Sequence, residues 1–249
     1  LTAVKTQKSG KNDRGGTAYT CRLTFENEIL HIEGDYTITY TDGAVTAVDR
    51  INSGRFVRLT VPSVIQEVAG FAYQNNTDIN ELVVEDGVTG IGESAFAGCT
   101  SLKKVTIGGD LVMLATATFK GCTALERVTC TGSYPLAILK ECFSGCSSLK
   151  NIVFSSDLEF IGSYAFAGCA FEKLNFPDNL KEFSAACLSG CKNLKSFNIT
   201  PNTATVDPTA FEGCDALSKI TVSPGNPNFK MVGKDLVEVA TGSVVHTLG

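Results

Sequence analysis

The sequence predicts an α/β solenoid, a coil of repeated units of about 23 residues with a curved parallel β-sheet along one side, about one short helical turn per coil, and β-rich caps at both ends. Three observations predict it. First, Tyr73, Phe96, Phe119, Phe143, Phe166, Leu188 and Phe211 follow one another at intervals of 23, 23, 24, 23, 22 and 23 residues. Second, a turn-forming residue stands two positions after each of these (Asn75, Gly98, Gly121, Gly145, Gly168, Gly190, Gly213). The residue three positions after is Asn76, Cys99, Cys122, Cys146, Cys169, Cys191 or Cys214. Third, an apolar column (Ile79, Leu102, Leu125, Leu149, Phe171, Leu194, Leu217) precedes alternating pairs such as Val105/Ile107, Val128/Cys130, Ile152/Phe154 and Ile220/Val222. Period two is the signature of a strand with one face buried.

Each element has a physical reason. Residues 1–17 are polar and Gly-bearing, which suits a flexible leader or linker. Residues 18–58 alternate in "YTCRLTF", "ILHIE", "YTITY" and "AVTAV" around turns such as Asp42-Gly43, so they are expected to form a β-strand cap. A first coil left bare would present open backbone groups and apolar surface. Residues 59–222 form the repeat solenoid, since one unit cannot bury its apolar side alone and stacked units share one core. The recurring Gly is expected to close the helical turn in the left-handed conformation, which Asn tolerates next best. Residues 223–249 lose the period and carry Pro224, Pro227 and a hairpin signal at Thr241-Gly242, which predicts a C-terminal hairpin cap.

The run "LKKVTIGGDLVMLATATFKGC" and the unit Leu82 to Leu102 resemble the BspA-like class of leucine-rich repeat, over about residues 59–222. The resemblance implies a leucine-rich repeat solenoid in a bacterial cell-surface protein that adheres to host proteins or other cells. It departs from the pattern at Leu188 and Cys130, at the Pro-bearing insertion in "TGSYPLAILKE", and at Phe171, whose unit is one residue short before its strand.

A net charge of −5 gives no general attraction to phosphate backbones, so nucleic acid is not an expected partner. No apolar run is long enough to cross a bilayer as a helix. Leu1 in place of an initiating Met leads us to expect that a targeting segment has been removed, with room in the precursor for a secretory or lipid-anchor signal.

No catalytic constellation is legible. The two histidines, His31 and His246, are far apart in sequence, and neither a nucleophile elbow nor a phosphate-binding loop occurs. "GVTGIG" at Gly87 to Gly92 reads as turns of the repeat. The pairs Cys142/Cys146 and Cys187/Cys191 fall on different coils, so no metal or other cofactor is expected. Recurrence of Cys at one phase favours buried free thiols over a disulfide framework.

Binding is expected on the outward face of the sheet. Its polar column includes Thr106, Thr129, Asn175 and Asn198. One step earlier on that face, two residues back in sequence, lie Lys104, Arg127, Lys173 and Lys219, a basic stripe suited to repeated weak contacts with an extended protein or glycan. The same side chains would also serve plain solubility. A non-enzymatic adhesion protein at the cell surface is the leading expectation, and a spacer that displays another domain is the alternative. The sequence leaves the ligand's identity and the oligomeric state open.

Overall fold

The computed structural model describes residues 57–249 apart from 62, 64, 109 and 132–136, together with the backbone of five strands between residues 19 and 50. The leader expected at 1–17, the turn at Asp42-Gly43, Pro135 of the insertion, and the side chains of His31 and Cys21 lie outside the described residues.

The chain winds as a solenoid with a parallel sheet on one side. Strands Tyr19–Cys21, Val57–Val61, Ile79–Val84, Lys104–Ile107, Arg127–Cys130 and Asn151–Val153 lie side by side. Ser196–Ile199 and Lys219–Val222 form a separate parallel pair farther along. The register is that of the repeat, with Val105 beside Leu82 and Val128, and Ile107 beside Val84 and Cys130.

A second parallel sheet was not expected. It is built from two-residue strands, Glu67–Val68, Gly90–Ile91, Met113–Leu114, Ala137–Ile138, Phe160–Ile161, Glu182–Phe183 and Thr205–Val206. Strands this short show no alternation to read. Its inward residues Val68, Ile91, Leu114, Ile138, Ile161, Phe183 and Val206 are all buried. At its N-terminal end Ala44–Arg50 pairs with it in parallel, and three antiparallel strands, Tyr36–Thr41, Ile29–Ile32 and Leu23–Glu26, extend it further. At the other end Phe229–Val232, Asp235–Glu238 and Val244–Thr247 form a three-stranded antiparallel sheet, one strand more than the expected hairpin.

The helical turn is corrected. Among the described residues there is no helix, and the segment around each aromatic is a run of overlapping β-turns. In the second coil the amides of Ala95, Ala97 and Cys99 donate three residues back, to Gly92, Ser94 and Phe96. The alternate amides of Ser94, Phe96 and Gly98 donate to the next coil, to Thr116, Thr118 and Lys120, at 3.0, 2.9 and 2.7 Å. Left-handed φ values of +53° at Ser94 and +73° at Gly98 turn the peptide planes, so the amides alternate between staying in the coil and pointing along the solenoid axis. An α-helix keeps its amides within one segment. The Gly therefore is left-handed as expected, but it serves a stacked turn rather than a helix end.

The core is one continuous apolar cluster from Leu59 to Leu236. Within it the rings of Tyr73, Phe96, Phe119, Phe143 and Phe166 stack nearly parallel, with centroids 4.9, 5.6, 5.4 and 5.4 Å apart. Leu188 ends the stack. Past Phe166, the rings of Phe176, Phe183, Phe197 and Phe211 meet edge to face at 5.2, 5.1 and 4.9 Å, the other geometry that suits the ring quadrupole.

The nine described cysteines are free and buried. Six form a ladder in which each thiol donates to the carbonyl of the aromatic-column residue one coil earlier. Cys99 reaches Tyr73 at 3.2 Å, Cys122 reaches Phe96 at 3.2 Å, Cys146 reaches Phe119 at 3.1 Å, and Cys214 reaches Leu188 at 3.2 Å. Cys thus combines small apolar volume with a weak donor aimed at a buried acceptor. Asn76, in the coil that begins the column, uses its side chain to accept the amides of Asp78 and Ile79 instead.

Burial pushes the thiols of Cys130 and Cys191 up to about 12 and that of Cys214 up to about 11. Thiolate is the reactive form, so these three are unreactive, and burial keeps reagents from all nine described cysteines. In the native protein at pH 8, iodoacetamide is expected to leave all nine described cysteines unmodified, and to alkylate all nine in denaturant. Mass spectrometry of the two samples checks this.

Candidate functional site

The outward face of the long-strand sheet carries every residue expected to bind except Asn175, which lies in a segment outside the sheet. Parallel register places Lys104 beside Glu81 and Arg127, and Arg127 beside Asn151. Farther along, Lys173 bridges to Ser196, which pairs with Lys219. Thr106 stands beside Thr129, and Asn198 beside Thr221.

Electrostatics divide this face in two. Glu81, whose side chain is only 9% exposed, accepts Arg58 Nη2 at 2.6 Å and Lys104 Nζ at 2.9 Å. Burial alone would raise its carboxyl, yet the hydrogen bonds from Lys104 and Arg58 outweigh that and hold it below the usual carboxylate range. Lys104 is therefore engaged within the protein. A carboxyl depressed by folding contributes stability above its unfolded pKa and loses it as pH falls through the lower folded value. Glu81→Gln is expected to flatten the acid side of the stability profile below about pH 5. Urea midpoints from pH 3 to 7 check it.

The C-terminal part differs in shape. Every other described unit places its first inward strand residue six positions after the column Cys, as Val105 follows Cys99, whereas Leu174 follows Cys169 by five. That missing residue leaves 174–176 out of the sheet, and among the described residues the segment keeps a single bridge, Lys173↔Ser196, to Ser196–Ile199. Stacking continues behind the break, where Phe160 and Ile161 pair with Glu182 and Phe183.

Two adjoining concavities open along this break. One of about 240 Å³ is lined by Arg127, Lys150, Asn151, Ile152, Val153 and 173–175. The other, of about 330 Å³, is lined by 173–175, Ser196, Phe197, Asn198, Lys219 and Thr221. Together they form a trough with four cations on its rim and no carboxylate in its lining. Its mixed lining includes apolar side chains, among them Ile152, which is only partly buried while the equivalent Val105 and Val128 are fully so. Val153 is 55% exposed.

Of the residues singled out from the sequence, the trough gathers Arg127, Lys173, Asn175, Asn198 and Lys219. Thr106 and Thr129 lie outside both concavities, on the regular part of the sheet. Lys150 and Val153 are lining residues missed as candidates, and the short unit at Phe171 was the signal that pointed to them. Thr221 Oγ1 donates to Asn198 Oδ1 at 3.0 Å, and Asn198 Nδ2 donates to Ser223 Oγ at 3.2 Å. Among the described residues Asn175 has no side-chain hydrogen bond, and no cluster of three or more His, Cys, Asp or Glu is placed to hold a metal ion.

The family model described as the BspA type leucine rich repeat region matches residues 51–137 and 133–231, with 6 copies. The chain belongs to this family. This BspA-type protein is similar in structure to a leucine-rich repeat protein from Bacteroides ovatus, at 18% identity and a TM-score of 0.55, covering 90% of this chain and 71% of that one. It is also similar to the T. pallidum leucine-rich repeat protein, at 22% identity and a TM-score of 0.47, covering 75% and 81%. A third similar structure is a leucine rich cell surface protein from Faecalibacterium prausnitzii, at 14% identity and a TM-score of 0.33, covering 90% and 96%. No curated protein matches the BspA-type chain in sequence. Among the described residues no helix is long and apolar enough to cross a membrane.

Proposed function

We propose that this BspA-type chain is a non-enzymatic adhesion module at the bacterial cell surface, which binds an extracellular protein through the outward face of its long-strand sheet. The observation that carries the reading is the trough between Arg127 and Lys219, where four cations surround a mixed lining that includes Ile152 and Val153. Solenoids present such faces as extended binding surfaces, and contacts repeated from coil to coil add up along a partner. The surface location follows from what membership of the family implies. The antiparallel strands at either end serve as caps that keep the apolar interior from open ends.

Screening the whole chain against host matrix proteins, glycans and bacterial surfaces tests the reading. A protein ligand whose binding is lost on charge reversal at Arg127 and Lys173 supports it. No binding anywhere, or binding indifferent to those reversals, overturns it in favour of a spacer or another surface.

A further inference from the structure

We infer that the trough at the sheet break takes an acidic, extended polypeptide segment that alternates carboxylates with apolar side chains, an assignment that rests on the proposed binding role of this face. Three features of the site converge on that partner.

The first is the spacing of charge. Arg127, Lys173 and Lys219 occupy every second place in one column, with Asn151 and Ser196 between them. Paired strands lie about 4.8 Å apart, so Lys173 and Lys219, joined through Ser196, stand roughly 10 Å apart along the axis, and Arg127 lies across the break. An extended chain in the polyproline II conformation rises about 3.1 Å per residue with three residues per turn, so its every third side chain lies on one side at about 9.3 Å intervals. Carboxylates at every third position therefore meet Lys173 and Lys219 in step. Lys150 adds a fourth positive group on the same rim.

The second feature is the floor. Val153 is exposed, and Ile152, beside the point where 174–176 leave the sheet, is only partly buried. Phe154 lies against Phe176, with centroids 5.0 Å apart, which backs the floor with a fixed aromatic pair. Aliphatic or aromatic side chains of a polypeptide gain by covering this surface. A sulfated glycan carries the charge but has no such side chain to offer.

The third feature is the open polar chemistry. The strand ladder lapses between Asn151–Val153 and Ser196–Ile199 except at Lys173↔Ser196. Asn175 stands in that gap with both amide donors and its carbonyl uncommitted among the described residues. A peptide backbone supplies donors and acceptors in alternation, which this gap can satisfy.

The test uses the whole chain and four defined probes, read by isothermal titration calorimetry. These are a capped (Pro-Leu-Glu)4 peptide, its (Pro-Leu-Gln)4 and (Pro-Ala-Glu)4 counterparts, and dextran sulfate. The acidic, Leu-bearing peptide is expected to bind most tightly, with the Gln version at least about tenfold weaker and the Ala version several-fold weaker. Raising salt from about 50 to 300 mM should weaken it further. The double variant Lys173→Glu, Lys219→Glu should lose about tenfold or more, while Lys192→Glu, on a turn away from the trough, should lose nothing. The melting temperatures of both variants confirm that the fold is kept.

Absence of binding by (Pro-Leu-Glu)4, or its indifference to the double reversal, overturns the acidic-segment assignment. Equal or tighter binding of dextran sulfate that the same reversal abolishes also overturns it, in favour of a polyanion site, and leaves the face itself standing as the binding surface. A protein ligand from the broader screen that ignores every reversal on this face sinks the underlying reading as well.

Discussion

Phe119→Ala is expected to destabilise the fold by about 3 to 5 kcal/mol, the range for removing a buried Phe from a well-packed interior. Phe119 is fully buried and faces a ring on each side, Phe96 at 5.6 Å and Phe143 at 5.4 Å, so truncation removes two stacking contacts along with the apolar area. Its neighbours cannot close the gap, because backbone hydrogen bonds fix the coil spacing on three sides. The amide of Phe119 itself donates to Cys142 in the next coil at 2.9 Å. Phe119→Leu should cost only about 1 to 2 kcal/mol. Leu188 already fills the same column without a break in the core. Urea unfolding of the three proteins checks both values. The Ala variant should also broaden the transition, since a stack whose units touch only their neighbours loses cooperativity where one interface is weakened.

Gly92→Ala is the second large effect, expected at about 2 kcal/mol for its steric cause alone. An added Cβ would lie 2.4 Å from the amide nitrogen of Gly70, 2.8 Å from its Cα and 2.9 Å from the carbonyl carbon of Ala69. All three are backbone atoms of the preceding coil, which cannot rotate aside as a side chain would. The two coils must separate, stretching the 2.8 Å bond from the Gly92 amide to the Val68 carbonyl. Gly121→Ala is the contrast. Its added Cβ meets nothing nearer than 4.0 Å, so its cost of about 1 to 2 kcal/mol comes from the left-handed φ of +72° alone. Hydrogen exchange separates the two. Gly92→Ala should expose amides of the Val68 and Ile91 strands, whereas Gly121→Ala should leave the pattern of protection unchanged.

The solenoid was legible because its columns agree in phase. The spacing of the aromatics and the alternation at Val105/Ile107 predicted both the shared interior and the register of the long strands, and the stacked rings and paired strands bear this out. The helical turn was misread for a definable reason. Amides that reach three residues back, as Cys99 does to Phe96, produce nearly the same apolar spacing as a helical turn, and nothing in the residue types at Ser94 or Ala117 announces a left-handed φ. The cysteine ladder was half legible. Phase showed that the thiols are buried, but donation to a carbonyl one coil away depends on coil spacing and has no local sequence sign.

The candidate site divides the same way. The columns that contain Lys173, Asn175 and Lys219 could be written down from the repeat, but the trough that gathers them required the sheet to open. The short unit between Cys169 and Leu174 carries that information, but a missing residue does not say which of the two sheets will give way. Stacking did absorb it in the two-residue strands, while the longer strands parted. Nor does sequence distance reveal that Lys104 is claimed by Glu81, which lies on the neighbouring strand.

The axial amides give the solenoid an electrical polarity. In the turns around the aromatic column, from Phe71 to Gly190, the alternate amides point from each coil to the one after it, so their peptide dipoles align as those of a helix do, with the positive end at the last coil. Asp207 sits at that end and accepts the Thr209 amide at 2.8 Å, placing a carboxylate where a field of this sign favours one. Direction is thus written into the stack itself, and an acidic residue closes the pole at which the column of dipoles stops.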